Sequence, residues 1–161
     1  MIILTDEPLD PVAVTDSVRG DGNGAVVTFL GTTRDNFGGK TVTRLEYEAY
    51  DVMAVKKLHE VRDSLRVDYG IEDIAIAHRT GRVDVGHISL VVSVASPHRV
   101  VAFEACHEAV NRIKTIVPIW KKEWFADGSR WVACEDHEFT DEAERRHAHA
   151  GRRHAVGAAD D

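Results

Sequence analysis

Lys114 and Lys121 stand seven positions apart in the stretch Asn111-Arg-Ile-Lys-Thr-Ile-Val-Pro-Ile-Trp-Lys-Lys-Glu123, with Pro118 between them. Pro118 turns the chain sharply, so the two lysines can approach one another across the turn. Two ammonium groups held close and partly desolvated are expected to titrate nearer neutrality, where an amine can both give and take a proton. Trp120 and Trp124 are the expected apolar walls of such a pocket. Ser96-Pro-His-Arg99 lies shortly upstream, and from His98 to Lys122 the cations Arg99, Arg112, Lys114, Lys121 and Lys122 outnumber Glu104 and Glu108 in a chain of net charge −7. This local reversal of sign points to an anionic ligand.

The elements that must carry these residues follow from periodicity. Ser96 offers a capping oxygen and Pro97 suits a first helical position, so a helix is expected to start there and to bury Phe103, Cys106, Val110, Ile113 and Val117. Pro118 disfavours helical geometry at Val117, which ends that helix near Thr115 or Ile116 and leaves Lys114 in its last turn. There a cation also complements the helix dipole, a role that needs no ligand. His98 and Arg99 would stand at the opposite, N-terminal end, where free N–H groups and the positive dipole end favour phosphate. Ile119 to Phe125 and Arg130 to Cys134 flank Ala126-Asp-Gly-Ser129 as a hairpin.

Upstream, Ala25 to Leu30 reads as a buried strand running into a Gly-containing loop that carries Thr32, Thr33 and Arg34. Val42 to Tyr50 alternates as a half-exposed strand with Thr43, Leu45, Tyr47 and Ala49 on one side. Asp51 is positioned to cap a helix from Val52 to Tyr69, marked by Val52, Val55, Leu58, Val61 and Leu65 and closed by Gly70. Ile71 to His78 is a strand, Arg79 to Gly86 a turn region, and Ile88 to Ala95 a strong strand. The order is therefore ββα ββα ββ, an α+β fold.

The length of 161 residues fits a single domain over residues 1–135, followed by a polar His/Arg-rich tail over 136–161. A short helix from Thr140 to about His149 is expected in the tail, with disorder beyond Gly151. The composition, 43% hydrophobic and 29% charged, is that of a soluble globular protein, with no apolar run long enough to cross a bilayer. The N-terminus lacks the pattern of a secretory leader, so a cytoplasmic location is expected. The acidic balance argues against nucleic-acid binding. Cys106 and Cys134 form no C-x-x-C pair and read as packed residues. His147, His149 and His154 sit in the tail without a supporting shell, and neither a metal nor a cofactor is expected. No phosphate-loop, dinucleotide or nucleophile-elbow motif is present.

Several motifs stand in a fixed order: Gly24-Ala-Val-Val-Thr-Phe-Leu-Gly-Thr-Thr-Arg34, Leu45-Glu-Tyr-Glu-Ala-Tyr50, His78-Arg-Thr-Gly81, Ser96 to Ala105, Ile113 to Glu123 and Arg130-Trp-Val132. In this set the chain resembles the MoaE family, the large catalytic subunits of molybdopterin synthase. The resemblance implies an α/β hammerhead-type fold and a homodimer that becomes a heterotetramer with a small ubiquitin-like sulfur-carrier subunit. It implies a sulfurtransferase reaction in molybdenum-cofactor biosynthesis. The carrier's C-terminal Gly-Gly thiocarboxylate donates sulfur to cyclic pyranopterin monophosphate, forming the molybdopterin dithiolene. This chain ends Ala158-Ala-Asp-Asp161 and is not expected to be the carrier. Lys114 and Lys121 match the family's catalytic lysines. Thr32, Thr33, Arg34, His98, Arg99, Lys122 and Glu123, with both lysines, match its substrate-binding segments, and Arg130 is the candidate for a basic residue contributed across the dimer. Two other classes fit the residues themselves: a non-catalytic module for a phosphorylated small ligand, and, against the net charge, an RNA-binding domain.

Overall fold

A computed structural model describes residues 1–132. The expected tail helix, Cys134, and the tail histidines lie outside the described residues. The chain runs β1 (Ile2–Thr5), α1 (Pro11–Asp16), β2 (Ala25–Thr32), β3 (Asn36–Phe37), β4 (Lys40–Ala49), α2 (Asp51–Tyr69), β5 (Ile74–Arg79), β6 (Gly81–Asp84), β7 (Ile88–Ser96), α3 (Arg99–Ile116), β8 (Ile119–Phe125) and β9 (Gly128–Val132). This is an α+β fold containing every element of the expected order, with four additions. β1 and β3 are too short to show a period of their own, and α1 is a single capped turn and a half. β6 occupies the stretch expected to be a turn, because Gly81 to Asp84 pairs with Tyr47 to Arg44 on β4.

Two sheets divide the work. The first has the order β1-β5-β7-β2, with β1 parallel to β5 and the other pairs antiparallel. Its central strands are covered on both faces, which is why Ile88 to Ala95, apart from the buried Ser89 and Ser93, is apolar on both sides rather than alternating. Leu90, Val92 and Val94 of β7 pack with Leu58, Val61 and Leu65 of α2 and with Ala105, Cys106, Ala109 and Ile113 of α3. Val91 and Ala95 face the other way, onto Val14 of α1 and Val18. Burying each such Leu or Val side chain contributes about 1.5–3 kcal/mol.

The second sheet has the order β3-β4-β8-β9, with β6 also on β4. A register shift between Val42 and Arg44 brings Val42 to the buried side and leaves Thr43 exposed, so Thr43 does not share the face of Leu45, Tyr47 and Ala49 as simple alternation predicts.

The helix ends hold further differences. The N-cap of α2 is Tyr50, without a side-chain hydrogen bond, and Asp51 is its first residue rather than its cap. α3 begins at Arg99 with His98 as N-cap; Ser96 stays in β7, its Oγ accepting the His98 N–H at 3.4 Å. At its other end the helix stops at Ile116, with Val117 extended (φ −85°, ψ 124°), as Pro118 requires. Phe103 is 63% exposed instead of buried, because Ala102, Ala105 and Ala109 form the face that meets the sheet.

Gly24 is held by contact with this helix start. A Cβ there would lie 2.6 Å from the Pro97 carbonyl oxygen, and a backbone oxygen cannot turn aside as a flexible side chain can. Gly24→Ala is expected to displace the Pro97–Arg99 segment and to cost about 1–3 kcal/mol, measured by urea unfolding.

Candidate functional site

The pleat of β8 sorts its side chains. Ile119, Lys121, Glu123 and Phe125 point to one face and Trp120, Lys122 and Trp124 to the other. On the inner face Lys121 stands opposite Tyr47 of β4 and Val132 of β9, and Glu123 opposite Leu45 and Arg130. The Lys121 ammonium lies 3.2 Å from Glu123 Oε1, with 25% of the lysine side chain exposed. Glu123 is only 2% exposed, and its Oε2 has no hydrogen-bond partner. Thr33 Oγ1 is likewise buried without a partner. Buried acceptors are nearly always satisfied in folded proteins, so two unused polar atoms are notable.

The loop after β2 reaches over this face. Thr33 is anchored through its N–H to the His87 carbonyl (3.0 Å) and through its carbonyl to the Gly86 N–H (2.9 Å). Thr32 and Arg34 are exposed on either side of it. Three residues after Arg34, the Phe37 ring receives Lys121 Nζ at 5.9 Å and the Arg130 guanidinium at 5.3 Å from its centroid. Phe37, not Trp120 or Trp124, is thus the aromatic surface beside Lys121. A cavity of about 370 Å³ opens next to it, lined by Phe37, Lys40, Phe125 and Arg130 among others. Arg130, expected as a contribution from a second subunit, stands in the same chain's cluster.

Lys114 occupies the last turn of α3, exposed, with Val117 and Pro118 between the end of that helix and the strand that carries Lys121. Lys122 faces away from Lys121, over the rings of Trp124 (4.8 Å) and Trp131 (5.3 Å). Arg112, counted with the basic stretch, is committed elsewhere: Glu108 and Asp68 each pair with it at 2.8 Å, and Ser64 Oγ accepts from it at 2.7 Å, tying α3 to α2.

His98 and Arg99 are exposed at the N-terminus of α3, where no side chain caps the helix. They are far from the other residues within one chain. β2 and β7 are antiparallel, pairing Ala25 with Ser96 at one end and Thr32 with Ile88 at the other, and the 18-residue α3 spans roughly 27 Å back to Lys114. His98 and Arg99 therefore stand at the opposite end of the sheet from Arg34.

Sequence reasoning missed Tyr47 and its neighbours at this site. Tyr47 lies edge-on to His78, with ring centroids 5.2 Å apart and planes at 77°. Burial pushes the His78 imidazole down to about 4, so it is neutral at pH 7, and its Nδ1 lies 2.8 Å from the Arg79 carbonyl as donor. Cys106 has its thiol pushed up to about 11 by burial and packs as an apolar side chain. Among the described residues no group of three His, Cys, Asp or Glu could hold a metal ion, and no helix is long and apolar enough to cross a membrane.

The chain is similar to known proteins along most of its length. The family model for MoaE protein matches residues 4–116. Molybdopterin synthase catalytic subunit 1 of Aedes aegypti is 46% identical over 132 residues, covering 80% of this chain and 85% of that protein. Among solved structures, molybdopterin synthase from Staphylococcus aureus superposes with a TM-score of 0.77 at 39% identity, over 81% of this chain and 94% of that one. At the level of fold alone, a chain from a complex of subunits 1 and 2 of molybdopterin-converting factor from Helicobacter pylori 26695 matches with a TM-score of 0.67 at 18% identity, covering 84% and 91%. The α+β fold with its two sheets, the length of the family match and identity well above 30% lead to one statement: the chain belongs to the MoaE family, that of the molybdopterin synthase catalytic subunits it resembles.

Proposed function

We propose that this protein is the sulfurtransferase subunit of a molybdopterin synthase, acting in the cytoplasm on cyclic pyranopterin monophosphate. The observation that carries the reading is the Lys121–Glu123 pair, buried on the carboxylate side and left with an unused oxygen, on the strand that follows the Lys114 helix end. The surrounding cations suit a phosphate and a carboxyl-like tail.

The sulfur comes from the thiocarboxylated C-terminus of a small ubiquitin-like carrier, a partner of the kind a two-subunit complex of this fold provides. Its sulfur attacks a carbon of the pterin side chain and an oxygen leaves with a proton from Lys114. Water then cleaves the acyl–sulfur bond, leaving sulfur on the pterin and a carboxylate on the carrier. Two rounds make the dithiolene. Lys121, held by Glu123, anchors the anionic tail and the acyl intermediate, while Thr32, Thr33 and Arg34 receive the substrate. His98 and Arg99 lie too far away to join in cis. In a homodimer, the α3 N-terminus of a second copy can bring them, and a carrier on each copy gives a heterotetramer. Lys122 remains the least well placed of the matching residues.

The test is conversion by the purified protein of cyclic pyranopterin monophosphate in the presence of thiocarboxylated carrier, followed by mass spectrometry. Two sulfurs per pterin and a carrier returned as carboxylate are expected. Saturable pterin binding with no conversion overturns the enzymatic reading and leaves a phosphate-binding module.

A further inference from the structure

Tyr47 touches both halves of the site without belonging to either. Its Cα partner across β4 and β8 is Lys121. Its phenol O–H donates to Ser89 Oγ at 3.3 Å, and the Ser89 hydroxyl donates in turn to the Gly31 carbonyl at 3.2 Å. The direction of this relay is internally consistent, because one hydroxyl proton serves Gly31 while a lone pair of the same oxygen receives Tyr47. Gly31 is the residue at which the β2–β7 register shifts, immediately before Thr32, Thr33 and Arg34. Ser89 is buried, which shields much of both bonds from bulk water.

The phenol is thus a strut between the two sheets. One end is fixed to the strand bearing Lys121, the other to the bulge from which the Arg34 loop departs. His78, neutral and buried, braces the ring from its edge and stops it from swinging off the Ser89 line. We propose that Tyr47 is a positioning residue which, through Ser89 and Gly31, sets the Thr32–Arg34 loop relative to Lys121. Substrate groups held by that loop then arrive at the lysine in register, which is where a displacement of a fraction of an ångström matters most. The inference rests on the sulfur-transfer reading for its kinetic consequence and on geometry alone for its structural one.

Two substitutions and two readouts test it. Tyr47→Phe keeps the ring against His78 and removes only the hydroxyl; Ser89→Ala removes the middle of the relay. In the sulfur-transfer assay each is expected to lower kcat about 3- to 10-fold while KM for the carrier changes less than about twofold, since one neutral hydrogen bond and a small misplacement are lost. The double variant is expected to be no slower than the slower single, because both act through one chain of contacts. Amide hydrogen exchange gives the second readout and needs no activity: the Thr33 and Gly86 amides, which tie the loop to the Gly86–His87 turn, are expected to exchange faster in Tyr47→Phe while α2 amides do not. Unchanged Thr33 and Gly86 exchange overturns the proposal whatever the assay shows. So does an active wild type with multiplicative losses in the double variant, or with kcat retained in Tyr47→Phe. A wild type without activity instead counts against the sulfur-transfer reading, and the exchange result still decides the strut.

Discussion

Lys114→Ala is expected to lower kcat for sulfur transfer by about 10²–10⁴-fold, the range for loss of a positioned proton donor. Lys114→Arg separates this role from charge. Arginine restores a cation at the end of α3 but holds its proton far too tightly to release it near neutral pH, so the arginine variant should be almost as slow as the alanine one. Lys121 is expected to behave differently. As an anchor paired with Glu123, it should be partly rescued by arginine and not by alanine. Lys121→Ala also strands the Glu123 carboxylate, 2% exposed, without its cation, so it should lose stability as well as rate. Steady-state kinetics with urea unfolding of all four variants checks both statements. Wild-type turnover by Lys114→Arg would remove Lys114 from proton transfer.

His78 sets the second large effect, on stability against pH. Its imidazole has a folded pKa of about 4 against an ordinary value of 6.5, because burial penalises the charged form. Between those values the unfolded chain binds a proton that the folded chain refuses. Unfolding therefore becomes easier as pH falls from 6.5, by about 3 kcal/mol in total, and the loss levels off below about pH 4. Asp84 and Asp127 act in a lower window. Arg82 and Lys40 hold their carboxyls below the usual value of 3.8, so whatever they contribute is present above it and lost only in stronger acid. Urea unfolding at intervals from pH 7 to pH 4 should show the slope in the wild type and its loss in His78→Gln. An equal slope in both proteins would place the titration elsewhere.

Much of the scaffold is legible in the sequence because local rules carry it. Pro118 ends α3 where helix geometry forbids it to continue, and the 3.6-residue period of Leu58, Val61 and Leu65 marks α2 before any contact is known. The site is legible only in part. Lys121, Glu123 and Phe37 meet through strand pairing, and register is a non-local property: the shift at Val42 and Arg44 depends on β8, not on β4 alone. Arg112 looks like a site cation until Asp68, 44 residues away, is seen to take it. His98 and Arg99 are close to Lys114 along the chain and a helix length from it in space. Tyr47 escaped notice because an alternating strand supplies an adequate structural reason for a tyrosine, and its polar partner Ser89 comes from the other sheet.

Lys121 and Lys122 are chemical twins separated by one peptide bond, and only the parity of their positions tells them apart. An insertion or deletion of one residue between Pro118 and Lys121 would flip the whole strand beyond it, turning Lys121 and Glu123 outward together and bringing Lys122 to the inner face. Two residues would not. A family carrying this strand can thus absorb changes of even length in that connection more readily than odd ones, and a doubled lysine keeps a cation on the inner face after either.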